Sequence, residues 1–198
     1  MRIDIVLLPS KKVSDALGGI SASLHRKIPM VFCVDNKKLL PHVSLYHLNV
    51  RQQQLNSLSN TVSKLAHKRK AIPVRITGST KGKNWFSLNI NKPRALTLLH
   101  TDVVKTCKKF HDGPMRWPTP ITTRQERAYV KKYGAPNVLK NFSPHFTLGW
   151  TKREKDLKRI VDELKKMESR ELDIQRIAIA EVDVHCQVFR IIKELKLK

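Results

Sequence analysis

A chain of 198 residues with 40% hydrophobic content and ordinary glycine and proline usage can bury a core as one domain, or as two small lobes sharing that core. Its 39 Lys and Arg against 16 Asp and Glu leave a formal charge of +23, which points to a polyanionic partner. No apolar run reaches the roughly 18 residues of a membrane span, the three scattered cysteines do not form a disulfide framework and fit a reducing cytoplasm, and no CxxC, HExxH or DxDxDG pattern marks a metal site.

In chain order, residues 2–8 read as a strand and 13–25 as a helix. Residues 42–50 follow a proline, are rich in β-formers, and read as the next strand. Leu55, Leu58, Val62 and Leu65 then recur at helical spacing through 51–68. The runs 72–77 and 85–90 flank the turn-forming Gly78-Ser79-Thr80-Lys81-Gly82 and predict a hairpin. A helix is predicted over 94–110 and a turn-rich loop over 113–120. A short helix follows over 122–132, with Thr122 or Thr123 available as its cap. The last part repeats the earlier order. Pro144-His145-Phe146-Thr147-Leu148 matches Pro41-His42-Val43-Ser44-Leu45. Leu157, Ile160, Val161, Leu164 and Met167 mark one helical face, and strand-like runs over 172–182 and 187–192 close the chain. The whole of 1–198 therefore reads as one domain with two diverged repeats, about 41–92 and 144–193.

Alternation along a strand puts His42 and Ser44 on one face, roughly 6–7 Å apart at their Cα atoms, with Tyr46 continuing that face. His145 and Thr147 share a face in the same way, while Val43, Leu45, Phe146 and Leu148 point into a core. By the same rule His47 points away. Two such strands facing one wet cleft supply what phosphodiester cleavage needs. A neutral imidazole takes a proton from the attacking oxygen, and a protonated one delivers a proton to the leaving oxygen. The hydroxyls of Ser44 and Thr147 can donate to the non-bridging phosphate oxygens.

On these residues the chain resembles the two-histidine (2H) phosphoesterase superfamily, the LigT-like proteins, whose two His-x-Ser/Thr-x motifs it carries as His42-Val43-Ser44-Leu45 and His145-Phe146-Thr147-Leu148. Tyr133-Gly134-Ala135-Pro136-Asn137-Val138, running through Phe142 to the second motif, is also similar to bacterial branches. The resemblance implies an α+β, bilobal, duplicated fold with two antiparallel β-sheets flanked by helices around a central cleft. It also implies metal-independent cleavage of 2′,3′-cyclic phosphates or 2′-5′ linkages in RNA or oligonucleotides.

No cofactor and no metal are expected, and the expected state is a cytoplasmic monomer away from membranes. Outside the motifs, Arg124, Tyr129 and Lys131 lie on a segment that could cover the site, as a phosphate ligand, a stacking ring and a further cation. A solvated helix face is the plainer reading of each. Trp85, Trp117 and Trp150 are candidate base platforms, Trp117 first among them because it sits in the proline-rich loop. Two other functions fit the composition: an RNA-binding module without turnover, and a small-molecule cyclic nucleotide phosphodiesterase.

Overall fold

Residues 1–115 and 117–198 are described in a computed structural model, and among them seven of eight strands and all five α-helices follow the order that the periodicity predicts. β1 (Arg2–Pro9) leads into α1 (Lys11–Lys27), whose start Ser10 caps by accepting from the Val13 N–H. β2 (Met30–Cys33), β3 (Val43–Asn49) and α2 (Leu55–Ala66) follow, then the hairpin β4 (Ile72–Lys81) and β5 (Trp85–Ile90). α3 (Arg94–Cys107) and α4 (Arg124–Tyr133) bridge to β6 (His145–Thr151), and α5 (Leu157–Leu164), β7 (Glu171–Val182) and β8 (Val188–Lys196) complete the chain. Thr123 is the cap of α4, in a capping box with Glu126. Arg116, within the turn-rich loop, lies outside the described residues.

Two local readings change. β2 is a strand of only four residues, too short to show a period, and its identity comes from pairing with β6. The segment Gly78–Lys81 is not the hairpin turn but the end of β4, and the turn falls at 82–84. Gly78, at φ +149°, carries a register shift between Ile76 and itself that only glycine takes up without strain.

Hydrogen bonding groups the strands as β3-β1-β7-β8 and β2-β6-β5-β4, all antiparallel. The two groups are joined twice, once where Ile72–Arg75 of β4 pairs with Glu171–Ile174 of β7, and once by the pair Val43 with Phe146 between β3 and β6. Each group is therefore built from both halves of the sequence. The hairpin that follows the first motif joins the strand of the second motif, and the hairpin that follows the second motif reaches the first through β1. α2 and α3 pack on one group, while α1 and α5 pack chiefly on the other. Their apolar faces enclose a core that includes Ile3, Ile5, Leu45, Leu58, Phe86, Leu99, Phe146 and Ile160. The opposite faces of β3 and β6 stay uncovered and meet in a cleft.

Candidate active site

The motif strands touch at Val43 and Phe146, the residues just after the two histidines. In an antiparallel pair, opposite residues point the same way and neighbouring strands lie about 5 Å apart. Carried one residue in each direction, that register sets His42 across from Thr147 and Ser44 across from His145. Val43 and Phe146 are fully buried on the other face. The four motif side chains border one cavity of about 280 Å³.

Both histidines are held in the same way. Nδ1 of His42 lies 2.8 Å from the Leu40 carbonyl, and Nδ1 of His145 lies 2.8 Å from the Ser143 carbonyl, in each case across the intervening proline. A carbonyl only accepts, so Nδ1 must carry the hydrogen, and Nε2 is the nitrogen left for a ligand. Burial lowers the pKa of both rings below the ordinary histidine value, favouring the neutral form; the nearby Asp4 carboxylate works against this at His42.

Beyond the hydroxyl residues the strict alternation ends. β1 pairs Val6 with Ser44 and Ile5 with Tyr46, leaving Leu45 unpaired; β5 pairs Ser87 with Thr147 and Phe86 with Gly149, leaving Leu148 unpaired. Each motif strand thus has a β-bulge at the same place, and one extra residue reverses the facing of everything after it. Tyr46 therefore turns into the core, 1% exposed, and its hydroxyl donates to the Tyr133 carbonyl at 2.6 Å. It does not project beside His42 and Ser44 as plain alternation predicts. His47 takes that place, and Trp150 is its counterpart on β6; both border the cavity, as Tyr46 itself still does. Gly149, the counterpart of Tyr46, admits the Phe86 ring, which a Cβ there would meet at 2.7 Å. Tyr46→Phe should cost about 1–2 kcal/mol of stability, the loss of one buried hydrogen bond, and leave KM unchanged. A raised KM with unaltered denaturant unfolding would place the phenol at the ligand instead.

His100, to which the sequence assigns no role, braces this arrangement. It is fully buried on α3, its Nδ1 donates to the carbonyl of the bulged Leu45 at 2.9 Å, and its Nε2 accepts the Leu139 N–H at 2.7 Å. Its ring stacks on Phe142 at 3.8 Å, so one side chain ties the first bulge to the segment leading into the second motif. Asp4 on β1 is a second residue that the sequence reading passes over. It is fully buried, with Oδ2 3.9 Å from His42 Nε2 and 3.1 Å from His47 Nε2.

The remaining wall is aromatic. Trp85 stacks on His145 at 5.9 Å, and Phe32, Trp150 and His185 form a mutual cluster with ring centres 5.3–6.5 Å apart. Trp117 borders the cavity with its ring edge-on to His47. Arg124 and Lys131 are exposed on α4, and Tyr129 packs edge-on against Tyr133; none of the three lines the cavity. The solvated-face reading suits the two cations. Among the described residues no Lys or Arg borders the cavity at all. The described residues contain no group of three or more His, Cys, Asp or Glu able to hold a metal ion, and no helix among them is long and apolar enough to cross a membrane.

Comparison with known proteins gives a consistent picture. The sequence model of the 2′-5′ RNA ligase superfamily matches residues 32–185. No curated protein matches the sequence. Among solved structures, TT0787 of Thermus thermophilus aligns over 100% of this chain and 98% of its own, at 15% identity and a TM-score of 0.64. Escherichia coli LigT complexed with phosphate aligns over 100% and 97%, at 13% identity and 0.56. The same protein complexed with 3′-AMP gives 12% identity and 0.56 over the same spans. These likenesses are of fold.

Proposed function

Because the chain belongs to the 2′-5′ RNA ligase superfamily, we propose that it is a phosphodiesterase that opens 2′,3′-cyclic phosphates or cleaves 2′-5′ linkages in RNA or oligonucleotides. His42 and His145 are its acid/base pair, and Ser44 and Thr147 hold the phosphate oxygens. The observation that carries this reading is the contact of the motif strands at Val43 and Phe146, which brings two imidazoles and two hydroxyls onto one cavity. The shared Nδ1 geometry supports it further, because each ring then offers Nε2 as acceptor when neutral and as donor when protonated. A phosphoryl group between them can receive two hydroxyl donors where its charge grows.

The substrate class follows from the walls. With no Lys or Arg among the described lining residues, the cavity suits a single phosphodiester group flanked by a flat ring. Phe32, Trp150 and His185 offer that ring a stacking surface. The Lys and Arg side chains among the described residues lie outside the cavity and suit the flanking phosphates of a longer strand. LigT, complexed with phosphate and with 3′-AMP, is a relative in fold whose ligands belong to the same chemistry.

The test is turnover, with EDTA present, of an RNA ending in a 2′,3′-cyclic phosphate and of a 2′-5′-linked oligoadenylate. At least one should be cleaved, and Trp150→Ala should raise its KM roughly tenfold, as expected for one lost stacking contact of about 1–3 kcal/mol. Tight RNA binding with neither substrate cleaved would replace the enzyme with a binding module. Cleavage confined to small cyclic nucleotides would make the basic surface incidental.

A further inference from the structure

A fully buried carboxylate needs a compensating partner, since desolvating a charge costs several kcal/mol and an apolar residue would fit β1 without that cost. Asp4 stands in the run Ile3-Asp4-Ile5-Val6-Leu7, and neither of its oxygens has a well-formed hydrogen bond. The Ser44 hydroxyl and the Tyr46 N–H lie beside it and favour its ionised form without reaching hydrogen-bond alignment. The titratable groups around it are few. His47 on β3 and His42 just before it face Asp4, the turn before β8 presents the Cys186 thiol, and His145 faces His42 from β6. β7 places Ala180 opposite. Burial pushes the Cys186 thiol up to about 12 and His47 down to about 4, so both are neutral near pH 7. Burial also raises Asp4 to about 7, with His42 the leading opposing influence. Asp4 and His42 are thus each the leading influence favouring the other's charged form. No Asp or Glu lies within ion-pair distance of His145 among the described residues.

We propose that Asp4 is a positioning residue whose carboxylate favours the protonated form of His42, making His42 the acid and His145 the base of the reaction proposed above, on which this assignment rests. At 3.9 Å the carboxylate attracts the imidazolium without engaging its Nε2–H, which stays free to point into the cavity. The attacking water then gives its proton to His145 Nε2 as its oxygen bonds to phosphorus. The bond from phosphorus to the ribose oxygen breaks, that oxygen keeps the electron pair, and His42 Nε2 supplies its proton. One water is consumed, and transfer of a proton from His145 to solvent and from solvent to the Asp4–His42 pair restores the start.

The experiment is an NMR titration of the imidazole resonances in substrate-free protein, unsubstituted and Asp4→Asn. In the unsubstituted protein His42 should hold its proton to higher pH than His145. In Asp4→Asn the proton affinity of His42 should fall about tenfold or more while His145 stays in place, the effect expected of one opposite charge within about 4–6 Å. Where a substrate is turned over, Asp4→Asn should lower kcat with KM unchanged and displace the limb of the pH profile that belongs to the acid. His145 titrating above His42, or an unmoved His42 in the variant, overturns the proposal, and the first of these needs no variant to fold. Because the titration is read without substrate, a protein that cleaves nothing yet titrates as described would count against the proposed function and leave the role of Asp4 standing.

Discussion

Replacing either His42 or His145 with alanine should lower kcat by about 10²- to 10⁴-fold, the usual contribution of one general acid or base. The double variant should lose far less than the product of the two effects, because two groups that serve one proton path fail together. The measurement is kcat and KM on whichever phosphodiester is turned over, beside a denaturant melt of each variant. The melt matters more for His42, which is 4% exposed, than for the half-buried His145. KM should change little, since the phosphate keeps Ser44 and Thr147. Retention of activity within about tenfold in either variant would remove that ring from the chemistry. The unsubstituted protein should show a bell-shaped pH–rate profile, and a rate still climbing through about pH 9 would count against the pair.

Stability should rise steeply between about pH 4 and pH 6.5. Burial lowers His47 and His100 to about 4, whereas the unfolded chain titrates at the ordinary histidine value of ~6.5. For a lowered folded-state value, the stabilisation is complete above the unfolded pKa and is lost as pH falls through the folded one. Each ring then contributes on the order of 3 kcal/mol at pH 7 that is gone below pH 4. For His100 the cause is visible, because protonating Nε2 would abolish its bond from the Leu139 N–H. Asp4 runs the other way. Its value is raised to about 7, so its contribution is complete below ~4 and is lost as pH rises toward 7. Two strongly shifted histidines outweigh one acid, with His42 and His145 shifted in the same sense. Urea unfolding at about pH 4.5, 5.5 and 7 should show the trend, and equal free energies at all three would contradict it.

The motifs were legible because they combine two patterns that a sequence displays openly, a proline-led strand start and a period of two. Three residues past each histidine that period fails. A bulge adds one residue without any mark in composition, so Tyr46 and His47 exchange faces and Trp150 comes onto the cavity face, where plain alternation from His145 does not put it. Aligning the two motifs residue by residue gives one usable hint, since Tyr46 falls on Gly149 and His47 on Trp150, an unequal pair that signals unequal surroundings. Asp4 carries a signal too, as the one charge inside an apolar strand, although its partners lie on an element some forty residues away. His100 has none, because its role rests on the carbonyl of one segment and the amide of another. The helices are read from their apolar spacing. Their pairing into two groups, and the burial of β1 between β3 and β7, follow from long-range register that local pattern does not encode.

That register also governs how the chain can be made. β1 pairs along one edge with β3 and along the other with β7, so Ile3 lies beside both Leu48 and Glu181. A ribosome that has released the first motif and its hairpin has delivered β1 with one neighbour still to come, and the hairpin still waits for β6. One lobe cannot close until β6 has emerged and the other until β7 and β8 have, so folding must be largely post-translational and slow, as expected where contacts are distant in sequence. Until then β1, with its row of Ile3, Ile5, Val6 and Leu7, is an open apolar edge, the part of the nascent chain with most need of a chaperone.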